Sequence, residues 1–395
     1  MPLGCIVSTQ PEVPRATSPA SDVAATVVLI LVFVAILSLV ANWSDWTTAL
    51  QDEVAEIPSL AAVQQQQQQG SGSESLLLVG TDPDGRVGAI ALVAVADDEP
   101  DSLTVIPTSL FDLLPGYGDF PLADAVAFEG PELARIAVAN ALGTRVDRVA
   151  QFPPGRLGSA LNNPIDIELQ EPVVLTDEGG NLIQIADAGA GSYDGALAER
   201  LLVERGESGQ VNWLERQAAV WRGVLDNLST DSSAAARILG DGPAAVTLGR
   251  AAAAGEVVIL LVPVTPVAVA GADDGFQLAQ TDVAAFVADR LAHLALGSAE
   301  RPRVEVLNGN GEVLTTRSVV EALVAAGFHV IKTDNAENFE FEETVVISQG
   351  RDNLDAAEAA AGILGVRMVQ LEVVAPSGVV DLSIIVGQDI ATLRS

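Results

Sequence analysis

The sequence predicts an α/β protein with an N-terminal transmembrane helix, a large α/β/α domain and a second, smaller α/β domain at the C-terminus. Two observations support this prediction. Short apolar runs of strand length alternate with helical patterns throughout residues 75–395. Nearer the N-terminus, a long apolar run without charge precedes a stretch rich in Gln, Gly and Ser. The 395 residues suffice for two folded domains and an anchor.

The apolar run at residues 23–42 is typical of a membrane-spanning helix. Its main part, Val23–Ala41, contains 19 residues without a charged side chain. As a helix it is about 28 Å long, close to the thickness of the hydrocarbon layer of a bilayer. Trp43 and Trp46 follow it, where interfacial aromatic side chains are expected. The alternatives are a buried core helix and a signal peptide that is cleaved, and the sequence leaves open whether the span is retained.

The flanks of this run predict its orientation. Arg15 is the only basic residue before it, and the next basic residue along the chain is Arg86. The positive-inside rule therefore places a short tail, residues 1–22, in the cytoplasm and the rest outside the cell. Residues 43–74, which include the run Gln64–Gln69, are expected to form a flexible tether. We thus expect a single-pass protein of the cell membrane.

The composition excludes some partners. The chain has 20 Lys and Arg against 53 Asp and Glu, a formal net charge of −33. Such a surface repels nucleic acids, so no nucleic-acid partner is expected. Lys332 is the only lysine, so any cationic site must be built from arginine. Cys5 is the only cysteine, which excludes a disulfide within the chain.

Residues 75–296 are predicted to form the larger α/β domain. Strand-like runs and helical patterns alternate, with Gly and Asp-Pro turns between them, so helices are expected on both faces of a sheet. The predicted strands are Leu76–Val79, Ala89–Val95, Leu103–Ile106 and Val257–Val262; the predicted helices are Pro131–Leu142, Ala196–Glu204, Trp213–Leu228 and Asp282–Leu296.

After a linker at residues 297–301, residues 302–395 are predicted to form the smaller domain. Its elements follow a βαββαβ-like order. The predicted strands are Arg303–Leu307, Phe328–Lys332, Thr344–Ser348 and Asp381–Val386; the predicted helices are Glu312–Ala326 and Asp352–Leu364. His293 and His329 lack ligand neighbours at metal-binding spacing, so no zinc site is predicted.

The larger domain carries a series of motifs in a recognisable order. It runs from LLLVGTD through GRVGAIALVAV and SLTVIP to ADAVAFEGPELARIAVANALGTRVDRVAQF and WLERQAAVWRGVL. This series resembles the LytR-CpsA-Psr (LCP) family. The resemblance implies a membrane-anchored extracytoplasmic enzyme that transfers anionic polymers from a polyprenyl-pyrophosphate carrier to peptidoglycan.

The charged positions of the family pattern are mostly replaced. Where the family has a second Asp after Arg86, this chain has Gly88. An Arg-Asp pair is replaced by Thr108-Ser109, and a Lys-x-Asn motif by Pro121 and Ala123. An Arg is replaced by Trp213, and a Gly-Gly-Val turn by 162–164. Because a pyrophosphate requires clustered cations or a metal ion, we expect the domain to be catalytically inactive.

The resemblance carries a small set of site residues onto this chain. Asp82, Arg86 and Arg216 are remnants of the catalytic pattern; Arg86, Arg205, Arg216 and Gln217 are candidate ligand-binding residues, and Asp82 is the candidate metal ligand. Each also has a structural interpretation: a turn before Pro83, a solvated loop or an ion pair on a helix surface. Asp147 matches the family too and is equally typical of a strand cap.

The smaller domain resembles the LytR C-terminal domain, which follows the catalytic domain in actinobacterial members of the same family. The matching segments are VEVLNGNG, AAGFHVI and VDLSIIVGQDI. An anion bound at Asn308-Gly309 and ordinary turn formation are both compatible with this pattern, and turn formation is favoured.

We therefore expect a non-catalytic, membrane-tethered cell-envelope protein that binds a cell-wall glycan, a lipid-linked precursor or a partner protein such as a cell-wall enzyme. One alternative is an active LCP-type phosphotransferase, and another is a purely structural or protein-docking module. No cofactor is predicted, and Mg²⁺ is expected only if the protein is an active enzyme. The sequence identifies neither the polymer, the partner nor the oligomeric state.

Overall fold

The computed structural model describes residues 72–177, 179–231, 233–255, 257–268, 275–297, 300–372 and 379–392. The first domain contains strands β1 Glu74–Thr81, β2 Val87–Val95, β3 Ser102–Ile106, β4 Phe111–Leu114, β5 Gly118–Pro121, β6 Arg148–Phe152, β7 Ile165–Leu169, β8 Val173–Thr176, β9 Leu182–Ala186, β10 Gly189–Tyr193, β11 Val258–Leu261, β12 Val264–Val267 and β13 Gly275–Leu278. Its helices are α1 Asp124–Glu129, α2 Pro131–Leu142, α3 Arg156–Ala160, α4 Gly195–Val203, α5 Gln210–Thr230, α6 Ala234–Leu239, α7 Pro243–Ala253 and α8 Gln280–Arg290.

The central sheet of the first domain has the order β11-β3-β2-β1-β6. β1 is antiparallel to β2 and parallel to β6, so the sheet is mixed. Alternate residues of β1 enter different cores: Leu77 and Val79 pack with α2, whereas Leu76 and Leu78 pack with α4, α5 and α7. Successive strand residues point to opposite faces of a sheet, so the two cores lie on opposite faces. Helices therefore cover both faces of this apolar sheet. The predicted α/β class with helices on both faces is confirmed.

The smaller domain also forms a mixed sheet. It contains β14 Arg303–Asn308, α9 Val313–Ala325, β15 His329–Asn335, β16 Val345–Gln349, α10 Leu354–Leu364, β17 Met368–Glu372, β18 Leu382–Val386 and α11 Asp389–Thr392. The strand order is β15-β14-β18-β16-β17, and β18 pairs antiparallel with β16. β17, α11 and the four two-stranded sheets of the first domain were not predicted, because their runs are too short to show a clear period. The strand β6 and the helices α1, α3, α6 and α7 were not predicted either.

The predicted transmembrane helix at 23–42, the tail at 1–22 and nearly all of the tether lie outside the described residues. Within the described part of the chain, no helix combines the length and the apolar character that crossing a bilayer requires.

The two sheets share one continuous apolar core. Side chains of α2 in the first domain and of α9 in the second, among them Leu133, Ile136, Val320 and Leu323, belong to a single buried cluster. The cluster continues into both sheets, through Leu77 on one side and Val304 on the other. The domains are therefore joined by apolar packing of the kind found in a domain core.

Asn140 provides the polar part of this junction. The residue lies on α2 and is fully buried, with 0% exposure. Its Nδ2 donates to the carbonyl of Val330 at 2.7 Å, and its Oδ1 accepts from the Val330 N–H at 2.9 Å. Val330 belongs to β15, an edge strand of the second sheet. The Asn140 amide thus satisfies a strand edge that would otherwise be buried without partners.

Charged side chains reinforce the junction at its rim. Arg135 on α2 pairs with Glu321 on α9, and Arg317 pairs with Glu129 at 2.6 Å. Arg301 donates to the Asn140 carbonyl at 2.8 Å, which ties the segment between the domains to the end of α2. These bonds fix one orientation of the second sheet against the first domain.

Asp112 lies beside the same junction. It lines a small cavity whose other lining side chains are apolar, and part of the residue still reaches the surface. Burial raises the pKa of Asp112 to about 6, and nearby Asp119 also raises it, whereas the Leu113 N–H and Arg301 lower it. The ionised carboxylate is therefore less stable in the folded protein than in the unfolded chain.

We predict that Asn140→Leu destabilises the protein by about 2–4 kcal/mol, because both main-chain groups of Val330 would be buried without partners. Urea denaturation would measure the change. The control is Asn212→Leu, since Asn212 is exposed and donates from Nδ2 to the side-chain carboxylate of Glu171 rather than to main-chain groups of a buried strand edge. A loss of stability no greater in the Asn140 variant than in the control would contradict a structural role for Asn140.

We predict that Asp112→Asn stabilises the protein in a pH-dependent way. The pKa of Asp112 is about 6 in the folded protein and 3.8 in the unfolded chain, so its contribution to the free energy of unfolding falls as pH rises through this window. Between pH 4 and pH 7, the free energy of unfolding of the variant should therefore rise by about 2–3 kcal/mol relative to that of wild type. Asp166→Asn, which alters an exposed carboxylate, is the control, and an equal pH dependence of both variants would show that Asp112 is not the cause.

Candidate functional site

A cleft of about 490 Å³ opens where β1 turns into β2. The turn after β1, the end of β3, β8, the segment after α4 and the first turns of α5 line it. Of the predicted site residues, Asp82, Arg86 and Arg205 line this cleft. Five of the positions where the family pattern is replaced also meet here: Gly88, Thr108, Ser109, Pro121 and Trp213. The other replaced positions, Ala123 and residues 162–164, do not line the cleft. The fold therefore gathers most of the expected positions into one site, although they are far apart in sequence.

Asp82 forms the turn between β1 and β2. Its Oδ1 accepts from the N–H of Asp84 at 3.0 Å and from the N–H of Arg86 at 2.8 Å. This is an Asx turn, which the following Pro83 and Gly85 favour. The guanidinium of Arg86 is exposed and pairs with Asp84 at 3.3 Å. One oxygen of the candidate metal ligand thus holds the turn, and Arg86 lies at the surface.

Gly88 cannot be replaced by the family's Asp on this backbone. A Cβ placed at Gly88 would lie 2.0 Å from the carbonyl oxygen of Val203, at the end of α4. A main-chain oxygen cannot move aside as a flexible side chain can, so α4 would have to shift. The close packing of β2 against α4 therefore requires glycine at this position. Restoring the carboxylate would need a shift of α4 as well as the substitution itself.

Arg216 is buried beneath the cleft on α5. Its Nε donates to the carbonyl of Leu201 at 2.9 Å, and its Nη1 donates to Ser208 Oγ at 2.9 Å. Its Nη2 donates to the carbonyls of Glu204 at 2.6 Å and Arg205 at 3.1 Å. Burial lowers the pKa of Arg216 to about 10, although Glu171 and Glu204 act in the opposite direction. The guanidinium fixes the end of α4 and the segment after it.

Gln217 has a similar position. Its Nε2 donates to the carbonyl of Gly88 at 2.6 Å and to that of Leu202 at 2.9 Å. The residue is buried, so its amide links β2 to α4 inside the domain. The structure thus places Arg216 and Gln217 behind the wall of the cleft, while Arg86 and Arg205 are at its surface.

The charge of the cleft is negative. Among the described residues that line it, Arg86 and Arg205 face three carboxylates, Asp82, Glu204 and Glu207. Glu204 also pairs with Arg200 at 2.8 Å. A diphosphate carries at least two negative charges, and holding it requires an excess of positive groups or a metal ion. Within the described residues, no group of three or more His, Cys, Asp or Glu side chains has an arrangement that could hold a metal.

Neutral polar groups and one indole occupy the rest of the cleft. Ser109 Oγ donates to Gln210 Oε1 at 3.0 Å, and Thr108 and Thr176 supply two more hydroxyls. Trp213 is buried to all but 8% of its surface, and its Nε1 has no acceptor among the residues that the structure describes. Such groups can bond to hydroxyl and amide groups of a ligand without requiring charge.

Asp147 is a structural residue outside the cleft. Its Oδ2 accepts from the N–H of Ser75 at 2.9 Å and from Ser75 Oγ at 3.0 Å. Arg145 pairs with the same carboxylate at 2.9 Å. Asp147 thus fastens the start of β1 to the segment before β6.

The sequence did not identify Glu207 and Gln210 as site residues. Glu207 belongs to the segment between α4 and α5, and Gln210 is the first residue of α5; the polar composition of this stretch is typical of any surface loop. Trp213 was recognised only as a lost arginine. Its place in the wall of the cleft depends on how α5 packs against α4, which no local pattern encodes.

Solved structures similar to the chain include Bacillus subtilis TagV, with 13% identity and a TM-score of 0.47 over 57% of this chain and 98% of that one. Bacillus subtilis TagT has 19% identity and a TM-score of 0.45, over 57% and 92% of the two chains. A third, the LytR-CPS2A-psr family protein YwtF (TagT) with bound octaprenyl pyrophosphate lipid, has 18% identity and a TM-score of 0.43, over 57% and 91%. At these values the similarities support no argument about function.

No curated protein sequence matches the chain at a significant level. Residues 301–389 match a family model, described as LytR cell envelope-related transcriptional attenuator. The matched residues run from before β14 to the start of α11, and so cover the second sheet. The C-terminal domain therefore belongs to the LytR C-terminal family, which confirms the prediction made from its sequence motifs.

Proposed function

We propose that the protein is a membrane-anchored, extracytoplasmic cell-envelope protein whose LCP-like domain binds a cell-wall glycan without catalysing phosphoryl transfer. The LCP character rests on the series of sequence motifs, and the link to the envelope rests on the family match of the C-terminal domain. The anchor rests on the charge-free apolar run at residues 23–42.

The observation that carries the proposal is the charge of the cleft. Two arginines face three carboxylates there. Arg216 does not line the cleft, and its guanidinium donates to main-chain carbonyls inside the domain. Stabilising the transferred phosphoryl group is the main task of a phosphotransferase site, since little covalent chemistry falls to the protein. Loss of one such donor typically lowers a rate by about two to three orders of magnitude, and here several are absent together.

The remaining groups favour a neutral, hydroxyl-rich ligand. Thr108, Ser109 and Gln210 bring hydroxyl and amide groups to the lining of the cleft, and Trp213 adds part of an apolar ring. The carboxylates can accept hydrogen bonds from sugar hydroxyls but repel phosphate. A glycan therefore matches the cleft better than the pyrophosphate end of a lipid carrier.

We predict no cleavage of a polyprenyl pyrophosphate by the full chain in detergent with Mg²⁺, measured by the release of the carrier monophosphate. An uncharged oligosaccharide of N-acetylated hexosamines should bind, with a change in tryptophan fluorescence that Trp213→Phe abolishes. Turnover that is lost in Arg86→Ala and kept in Arg290→Ala, an exposed arginine far along the chain, would show an active enzyme instead. No binding of either compound would favour a purely structural role.

We predict that Arg216→Lys lowers the free energy of unfolding by about 2–4 kcal/mol, because a single ammonium group cannot reach all four acceptors of the guanidinium. Arg222→Lys, at an exposed position of the same helix, is the matched control and should change stability little. Chemical denaturation of the two variants would measure the difference. Unchanged stability of the Arg216 variant would mean that its bonds are not structural.

A further inference from the structure

The junction of the two domains carries an exposed apolar surface. Tyr117 and Phe128 stack with ring centroids 4.7 Å apart, and Phe120 meets Phe128 edge-on at 5.1 Å. Phe120 and Phe128 are each 38% exposed. Aromatic residues make up only 4% of this chain, so a stack of three rings at the surface is a marked concentration. Exposed apolar patches of this kind mark binding surfaces.

The second domain extends this surface. A Cβ at Gly116, beside Tyr117, would lie 3.0 Å from Cγ1 of Val313 at the start of α9, and Leu314 next to it is 59% exposed. Phe339, 48% exposed, lies 3.6 Å from a Cβ placed at Gly311. We define the junction surface as Tyr117, Phe120, Phe128, Val313, Leu314 and Phe339.

The two halves of the junction surface are held together by an ionic bridge. Glu129, which follows Phe128, accepts from the Tyr117 hydroxyl at 3.1 Å and from Arg317 of α9 at 2.6 Å. The loop that carries Phe339 is also ordered by main-chain bonds: the N–H of Phe341 donates to the Gly309 carbonyl at 3.1 Å. The surface is therefore formed before any partner binds, which lowers the entropic cost of binding.

The charge around the junction surface is negative. The sequence has no Lys, Arg or His from 87 to 134, and none from 333 to 350. The exposed carboxylates beside the surface are Asp119, Glu312, Glu337, Glu340, Glu342 and Glu343. Two cations of the adjoining α9 and β15 are paired, Arg317 with Glu129 and Lys332 with Glu305 and Asp334.

We propose that the junction surface is a docking site for an arginine-rich segment of a partner protein that carries apolar side chains between its arginines. Charge complementarity selects a basic partner, and the exposed rings offer cation–π contacts to guanidinium groups. The apolar side chains of the segment would cover Leu314 and Phe339, whose burial supplies the non-polar part of the interface. An anionic polymer or an anionic membrane surface would be repelled here.

The test uses the full chain in detergent and a fluorescent peptide of alternating arginine and leucine. Wild type should bind it, with affinity falling as salt rises from about 0.05 M to about 0.5 M. Phe120→Ser with Phe339→Ser should weaken binding about tenfold or more. The matched control is Leu182→Ser with Ile183→Ser, an exposed apolar pair on β9, and should stay within about twofold of wild type.

A second pair of variants tests the charges. Glu337→Gln, Glu340→Gln and Glu342→Gln together should weaken binding more than Asp166→Asn, Glu168→Gln and Asp226→Asn, which neutralise as many exposed carboxylates elsewhere. Thermal unfolding checks that all variants fold. Equal binding by every variant would mean attraction by net charge alone and would overturn the proposal. A wild-type protein that does not bind the peptide would overturn the proposal as well. So would a Phe120→Ser, Phe339→Ser variant that loses oligosaccharide binding but binds the peptide as wild type does.

Discussion

The pairing of the Asn140 amide with both main-chain groups of Val330 is the interaction on which the arrangement of the two domains depends. An edge strand buried against a helix leaves its N–H and C=O groups without water, and each group left unpaired is costly. One asparagine side chain satisfies both groups of Val330 at 2.7 and 2.9 Å. The two bonds stabilise the apolar packing of α2 against α9, because they satisfy this edge inside the core.

The arginines of this acidic chain serve the fold more than any ligand. Arg216 holds α4 and the segment after it, Arg301 and Arg317 tie the domains, and Arg303 pairs with Asp381 at 2.9 Å. With one lysine in the chain, few cations remain for a cleft. Because the arginines are engaged in bonds within the fold, carboxylates outnumber cations in the cleft. For the same reason, the carboxylates around the junction surface are not balanced by nearby positive charges.

The ligands proposed for the cleft and for the junction surface differ for one electrostatic reason. Carboxylates near an open cleft repel phosphate but accept hydrogen bonds from hydroxyl groups, which favours a neutral glycan. Carboxylates around the exposed rings attract cations, and the rings themselves present apolar area that a partner can cover. Together they favour a basic protein segment with apolar side chains. Under the proposed function, a membrane-anchored protein with both binding surfaces would connect the wall to a partner without phosphoryl transfer.

The sequence alone determined the α/β class, the positions of most of the central strands and long helices, the C-terminal family and the loss of charged motif residues, because these are encoded by periods and motifs spanning a few residues. It did not determine β6 or α7. Only the tertiary structure decided where side chains far apart in sequence meet. Asn140 and Val330 are 190 residues apart, and the acceptors of Arg216 belong to another element. The two-stranded sheets and the place of Trp213 in the cleft also depend on packing, which no local pattern contains.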